Sequence, residues 1–182
     1  MVDRRVARTQ ALLQRAHLSL IVEKGYDAVT VEDICAAANV GRSTFYAHFS
    51  SKEDLHRRGL GALRQELSAN QPAGVEPDHI LAFSLPMFEH AHAHIELYRA
   101  LASSRGGTIA IESIRDVLRD LVRAELTRLM PDRAAREFAV QYLVGGFLAV
   151  LTWWLDGGAR SSPQEMDARF QRLAQEGLRG WT

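Results

Sequence analysis

Apolar residues in this chain recur at intervals of three and four, and no stretch shows the apolar-polar alternation of a half-buried strand. The pattern predicts an all-α protein. From Thr9 to Lys24, the positions Leu13, Ala16, Leu20 and Ile21 form one face of a helix that Gly25 ends as a C-cap. Val31, Ile34 and Ala38 form the face of a second helix, opened by Thr30 with Asp33 three residues later, an acidic variant of the capping box. Phe45 and Phe49, four apart, mark the inner side of a third, short helix beginning at about Gly41 or Arg42. Ser51, with Asp54 three residues on, caps a fourth that carries Leu55, Leu60, Leu63 and Leu67 to about Asn70.

Gln71 to Pro77 holds two prolines and a glycine, so it breaks the chain. A helix from about Asp78 to Ala93 follows, and Pro86 inside it removes a backbone donor and should kink it. Tyr98 falls on a short helix ending near Ser103. Arg105-Gly106-Gly107 reads as a loop, and Thr108 caps an amphipathic helix that reaches about Leu129 before Pro131 stops it. From Phe138 to Leu155 the chain is uncharged, and Ser162-Pro163-Gln164-Glu165 then supplies the cap, first-turn proline and returning side chain that start a last helix. These two final helices make an antiparallel hairpin joined by Gly157 to Ser161.

Two short helices joined at Asn39 and Val40 are the shape that enters a DNA major groove. Asn39 tolerates the left-handed backbone that the turn needs, and Val40 tucks between the helices. Once Phe45 and Phe49 point inward, Arg42, Ser43, Thr44, Tyr46, Ala47 and His48 are left outside, a face of donors with almost no negative charge. Arg42, Ser43, Thr44 and Tyr46 are the expected groove contacts, and His48, Lys52 and Thr30 the expected phosphate contacts. A lysine in the first turn of a helix opposes the helix dipole, which suggests an anion beside Lys52.

The order Thr-Val-x-Asp-Ile, Ala-Ala-Asn-Val, Ser-Thr-Phe-Tyr-x-His-Phe and Ser-Lys-Glu-Asp-Leu resembles the N-terminal DNA-binding domain of the TetR/AcrR family of transcriptional repressors, over about Thr9 to Leu60. Two departures bear on operator choice. Gly41 stands where the family usually has a hydroxyl cap, and Ala47 stands where many members carry a larger polar residue. Ala47 could reach only a thymine methyl, or nothing. The resemblance implies a three-helix DNA-binding domain over 1–50 and a helical regulatory and dimerisation domain over 51–182, linked by the helix 51–70. It also implies that the last two helices pair with their mates as a four-helix dimer interface.

The chain has 182 residues, 47% of them apolar, enough for one compact unit or two small domains sharing a helix. Its zero net charge hides a mild polarity: nine basic residues face seven acidic ones in 1–58, and thirteen face fifteen in 59–182. Cys35 is the only cysteine, so no intramolecular disulfide forms, and a cytoplasmic location fits; its expected role is core filler. Arg4, Arg5 and Arg8 form a basic N-terminal arm, either solvated or on phosphates or the minor groove, and no signal peptide follows them. The 18 uncharged residues from Phe138 could span a membrane by length alone. Gln141, Thr152 and the Gly145-Gly146 pair favour instead a helix buried on both sides, by its own domain and by a partner.

No Gly-rich phosphate loop, credible nucleophile or catalytic triad motif is legible, and no cofactor is expected. His90, His92 and His94 are the exception worth weighing, since His90 and His94 share a helix face and could both reach a metal; pocket lining and helix surface are the alternatives. Phe83, Met87, Phe88, His90, His94, Tyr98, Ile114, Phe147, Leu151 and Trp154 are best suited to line a ligand cavity, mostly apolar with a few polar handles. The expected protein is a homodimeric, ligand-responsive regulator, a repressor that binds a palindromic operator in double-stranded DNA and is released by a hydrophobic or aromatic small molecule. The competing expectation is a ligand- or metal-dependent helical enzyme with an incidental helix-turn-helix.

Overall fold

The computed structural model describes residues 4–69, 81–102 and 107–179. Among them all regular structure is helical: α1 (Arg4–Lys24), α2 (Val31–Ala38), α3 (Arg42–His48), α4 (Lys52–Ala69), α5 (Ser84–Ala93), α6 (Ile95–Ala102), α7 (Gly107–Leu129), α8 (Arg133–Asp156) and α9 (Pro163–Leu178). The break expected at Gln71 to Pro77, the helix start expected at Asp78 and the Arg105-Gly106 part of the expected loop lie outside the described residues. The chain divides into two compact units, one of residues 1–61 with 96–113, the other of residues 62–95 with 114–182.

In the first unit, α1, α2 and α3 close over Leu13, Ile21, Ile34, Phe45 and Phe49, joined by Leu55 of α4 and Leu101 of α6. The α1 helix starts five residues before the expected Thr9, at Arg4, so Arg4, Arg5 and Arg8 belong to its first turns and do not form an extended arm. Gly25 ends it with φ +79° and an N–H donated to the Ile21 carbonyl at 2.9 Å. Cys35 is buried in this core.

The second unit is built on an aromatic chain. Phe147 of α8 touches Phe83 at 5.0 Å, Phe88 at 4.8 Å and Phe170 of α9 at 5.0 Å between ring centres, and Phe88 meets Trp154 edge-on at 5.5 Å. Such pairs add to area burial through their quadrupoles. The Trp154 indole N–H donates to the Ser161 carbonyl at 3.1 Å, tying α8 to the loop before α9.

Pro86 does not kink α5. The helix begins only at Ser84, which puts Pro86 in the first turn, where its missing N–H would have had no helical partner in any case. Ahead of it, Leu81 takes φ 118°, and its carbonyl accepts from the Ser84 N–H at 3.0 Å. The Gln171 side chain of α9 donates to the same carbonyl at 3.0 Å and to the Ser84 hydroxyl at 2.8 Å, while that hydroxyl donates to Asp167. This buried polar knot fixes the start of α5 on α9. The sequence signal for it was weak: Asp167 and Gln171 each neighbour an apolar core position, one residue off the helical stripe.

The α8 helix is long and apolar enough to cross a membrane by length and composition, yet half of its most apolar window is buried inside the fold. Asp132 caps it through the N–H groups of Ala134 and Ala135.

Candidate nucleic-acid interface

Local chemistry builds the short helix pair. Thr30 and Asp33 complete a reciprocal box, with the Thr30 N–H on Oδ2 of Asp33 at 2.8 Å and the Asp33 N–H on Oγ1 of Thr30 at 3.1 Å. The Thr30 hydroxyl proton goes to the same carboxylate at 2.6 Å. Lys24 reaches that carboxylate at 2.7 Å, and the lysine and threonine bonds together hold Asp33 well below the usual carboxylate range. Asn39 then turns the chain at φ 52°, and the Val40 N–H closes the turn on the Cys35 carbonyl at 2.9 Å.

Phe45 and Phe49 anchor α3 from below, 5.8 Å apart between ring centres. Arg42, Ser43, Thr44, Tyr46 and Ala47 are exposed and His48 is half-buried, with Tyr46 accessible over 51% of its surface. Gly41 caps α3 in an extended conformation without a side-chain bond. Beside α3 lies an open groove of about 580 Å³, lined by Ser43, Thr44, Ala47 and His48 on one side and by Arg5, Val6 and Thr9 of α1 on the other. Sequence periodicity gave no signal for the α1 wall, because groove walls form between helices and not along one.

Lys52, expected on a phosphate, is engaged within the protein. Its ammonium donates to the carbonyls of Tyr26 at 3.0 Å, Asp27 at 3.4 Å and Val29 at 2.8 Å, and lies 4.8 Å from the Tyr26 ring centre. Three N–H donors thus face three carbonyl acceptors. The charge that opposes the α4 dipole is satisfied by the carbonyls of the α1–α2 connection. Asp54 supports the same helix start by accepting from the Ser50 N–H at 3.0 Å and from Arg58 at 3.1 Å, and these bonds lower its pKa.

Below Lys52, His17 of α1, Tyr26 and His56 of α4 pack edge to face, with ring centres 5.6 to 5.8 Å apart. Burial, then the neighbouring His56 and Lys52, lower the His17 pKa from 6.5 to about 3, against a smaller opposing pull from Glu53. Burial pushes the Tyr26 phenol up to about 12.

Residues 14–58 match the family described as bacterial regulatory proteins, tetR family, and residues 78–176 match the family described as transcriptional regulator C-terminal region. The chain belongs to the TetR family. Over 177 residues it is 46% identical to the uncharacterized HTH-type transcriptional regulator YxbF of Bacillus subtilis (strain 168), a match covering 93% of this chain and 45% of that protein. It is 35% identical over 43 residues to the biofilm operon icaADBC negative regulator IcaR of Staphylococcus epidermidis, covering 24% of this chain and 23% of IcaR. The chain thus spans less than half the length of these curated relatives. A TetR transcriptional regulator from Streptococcus agalactiae 2603V shares the fold at a TM-score of 0.69 and 24% identity, covering 94% of this chain and 96% of that one.

Within this TetR-family fold the expected ligand set falls into three groups. Phe83, Met87, Phe88, Ile114, Phe147, Leu151 and Trp154 are buried in the second unit, and four of them form the packed aromatic chain. Tyr98 is buried in the first unit. His90 is half-buried and His94 exposed at the end of α5, ring to ring, while the exposed His92 stacks on Trp154 at 5.7 Å.

Proposed function

We propose that the chain is a cytoplasmic, one-component transcriptional regulator that binds a palindromic operator as a homodimer, and that residues 1–50 carry the DNA contacts. The observation that supports this most is the face of α3, where Arg42, Ser43, Thr44 and Tyr46 stand in solvent over a buried Phe45–Phe49 base. Arginine to guanine and hydroxyls to base edges or phosphates are the contacts that such a face offers. His48 and the groove wall of Arg5 and Thr9 suit the flanking backbone, and Thr30 offers a hydroxyl oxygen already held in its cap. The name of IcaR as a negative regulator favours repression.

Dimerisation is proposed through α8 and α9. Phe138, Tyr142 and Trp153 are 62%, 68% and 67% exposed and fall on one α8 stripe with the exposed Gly146 and Ala149; Leu173 of α9 is 69% exposed. Two-fold pairing gives the two recognition helices needed to read a palindrome.

The effector proposed is a hydrophobic or aromatic small molecule received among the second-unit residues Phe83, Met87, Phe88, Ile114, Phe147, Leu151 and Trp154. To act as an inducer it must favour the conformation that binds DNA poorly, and a preference of about 3 kcal/mol would weaken operator binding roughly 150-fold. The helix α4 supplies residues to both units and is one covalent route between them.

Fluorescence anisotropy with duplex DNA across a salt series tests the DNA reading. A regulator gives a log-log slope set by the number of phosphates neutralised, and a flat response with no measurable binding would sink it.

A further inference from the structure

We propose that Glu125 of α7 anchors a small-molecule site for a hydrophobic cation, an aryl or alkyl amine whose ammonium pairs with this carboxylate. The assignment rests on the reading of the second unit as the effector-binding part, and it names the chemistry of that ligand. Along α7, Ile114, Leu118 and Leu121 are buried at helical spacing, and Glu125 holds the next position of that inward stripe, flanked by the buried Val122 and Leu126. A carboxyl therefore stands where the helical period calls for an apolar side chain. Glu125 is half-buried as a residue, yet its Oε1 is shielded from solvent and has no hydrogen-bond partner among the described residues. The Ala82 N–H beside the carboxyl favours its ionised form. Ala82 directly precedes Phe83, one end of the aromatic chain that runs through Phe147 to Phe88.

Other acids of α7 and α8 have cationic partners. Asp116 pairs with Arg119 at 3.1 Å, Asp120 with Arg64 at 3.1 Å and Arg123 at 3.2 Å, and Glu137 with Arg123 at 2.7 Å. Glu125 has no such arginine among the described residues. An ionised carboxylate in apolar surroundings is costly, so it takes up either a proton or a counter-cation. Burial, against the smaller opposing pull of the Ala82 N–H, raises the pKa of this carboxyl from 4.5 to about 7. Near neutral pH its proton is therefore loosely held, and an arriving ammonium can displace it. Ile114 and the aromatic rings proposed to receive the effector suit the apolar body of such a ligand. A neutral alcohol would bring a hydrogen bond without the charge, and a carboxylic acid would meet like charge, so both should bind less well.

The test uses three compounds that share one apolar body, phenylbutylamine, phenylbutanol and phenylbutyrate, each titrated into the full chain at neutral pH by isothermal calorimetry. Glu125→Gln keeps the side-chain volume and removes the charge, while the order of the three affinities in the parent is a measurement that needs no variant. The amine should bind at least about tenfold tighter than the alcohol or the butyrate. Glu125→Gln should erase that preference and leave the affinity for the alcohol unchanged. Equal affinities for amine and alcohol in the parent, or an amine preference retained in folded Glu125→Gln, would overturn the proposal while the effector reading stands. DNA affinity with and without the amine separates the two: an amine that binds through Glu125 and leaves DNA affinity unchanged refutes the effector reading and keeps the cation site. Absence of binding by all three compounds would overturn both.

Discussion

Lys52 and Val29 are joined by a 2.8 Å hydrogen bond from ammonium to carbonyl, across 23 residues of chain. The same ammonium takes the carbonyls of Tyr26 and Asp27, so one side chain of α4 ties the α1–α2 connection to the base of the DNA-binding unit. Replacing it by Lys52→Met keeps the stem and removes the charge. Hydrogen bonds to a charged group contribute about 1.5–3 kcal/mol, and the expected loss, about 2 kcal/mol in urea unfolding, is a stability loss. Under conditions where the variant is fully folded, its salt slope for DNA should match the parent's. A slope lower by about one, with stability unchanged, would return Lys52 to a phosphate.

Arg42→Ala should weaken operator binding by about 1–3 kcal/mol and relax the preference at one base pair, if the guanidinium reads a guanine. Its exposure predicts no loss of folding stability beyond about 0.5 kcal/mol. The measurement is a set of binding isotherms on single-base operator variants. An Arg42→Ala/Tyr46→Ala protein with parental affinity for every duplex would remove α3 as the reading element.

His17 makes the first unit sensitive to acid. Its folded pKa, about 3, lies below the unfolded value of 6.5, so between those limits the unfolded chain binds the extra proton. Stability from this group is therefore complete above pH 6.5 and falls as pH is lowered. Between pH 7 and pH 5 the loss is about 2 kcal/mol. Glu125 works in the opposite direction, since burial raises its pKa from 4.5 to about 7 and the folded state then gains the proton first. Comparing parent with His17→Leu cancels that contribution. The variant should lose about 2 kcal/mol less than the parent on going from pH 7 to pH 5 in urea unfolding; equal losses would contradict the assignment.

Gly146 and Phe147 are neighbours in sequence and opposites in structure. Gly146 is exposed, and a Cβ added there would meet nothing within 4 Å, whereas Phe147 is wholly buried among Phe83, Phe88 and Phe170. Gly146→Arg should therefore leave each protomer folded and shift the protein to monomer in light scattering. Phe147→Ala should instead cost about 3–5 kcal/mol of folding stability through a core cavity. A stable dimer carrying Gly146→Arg would exclude the α8 stripe as the interface.

Much of the architecture was legible because its causes are local. The boxes at Thr30 with Asp33 and at Ser162 with Glu165 need only residues three apart, and both formed with their reciprocal bonds. The Phe45–Phe49 spacing placed α3 with one side down, and Asn39 supplied the left-handed turn, since helical period and backbone preference are properties of short segments. The family followed from the order of these same local signals.

What the chain alone did not decide were the partners of side chains far apart in sequence. Pro86 reads as a kink until it is known that α5 starts at Ser84, and that start is held by Gln171, 87 residues away. The three carbonyls that Lys52 meets lie 23 to 26 residues away, and no local pattern announces them. An evenly apolar helix such as α8 has no period from which to tell Gly146 from Phe147. Hydrophobic period and capping are written into short stretches, whereas the partner of a long polar side chain and the inner face of an all-apolar helix are chosen only when separate segments compete for the same space and the same hydrogen bonds.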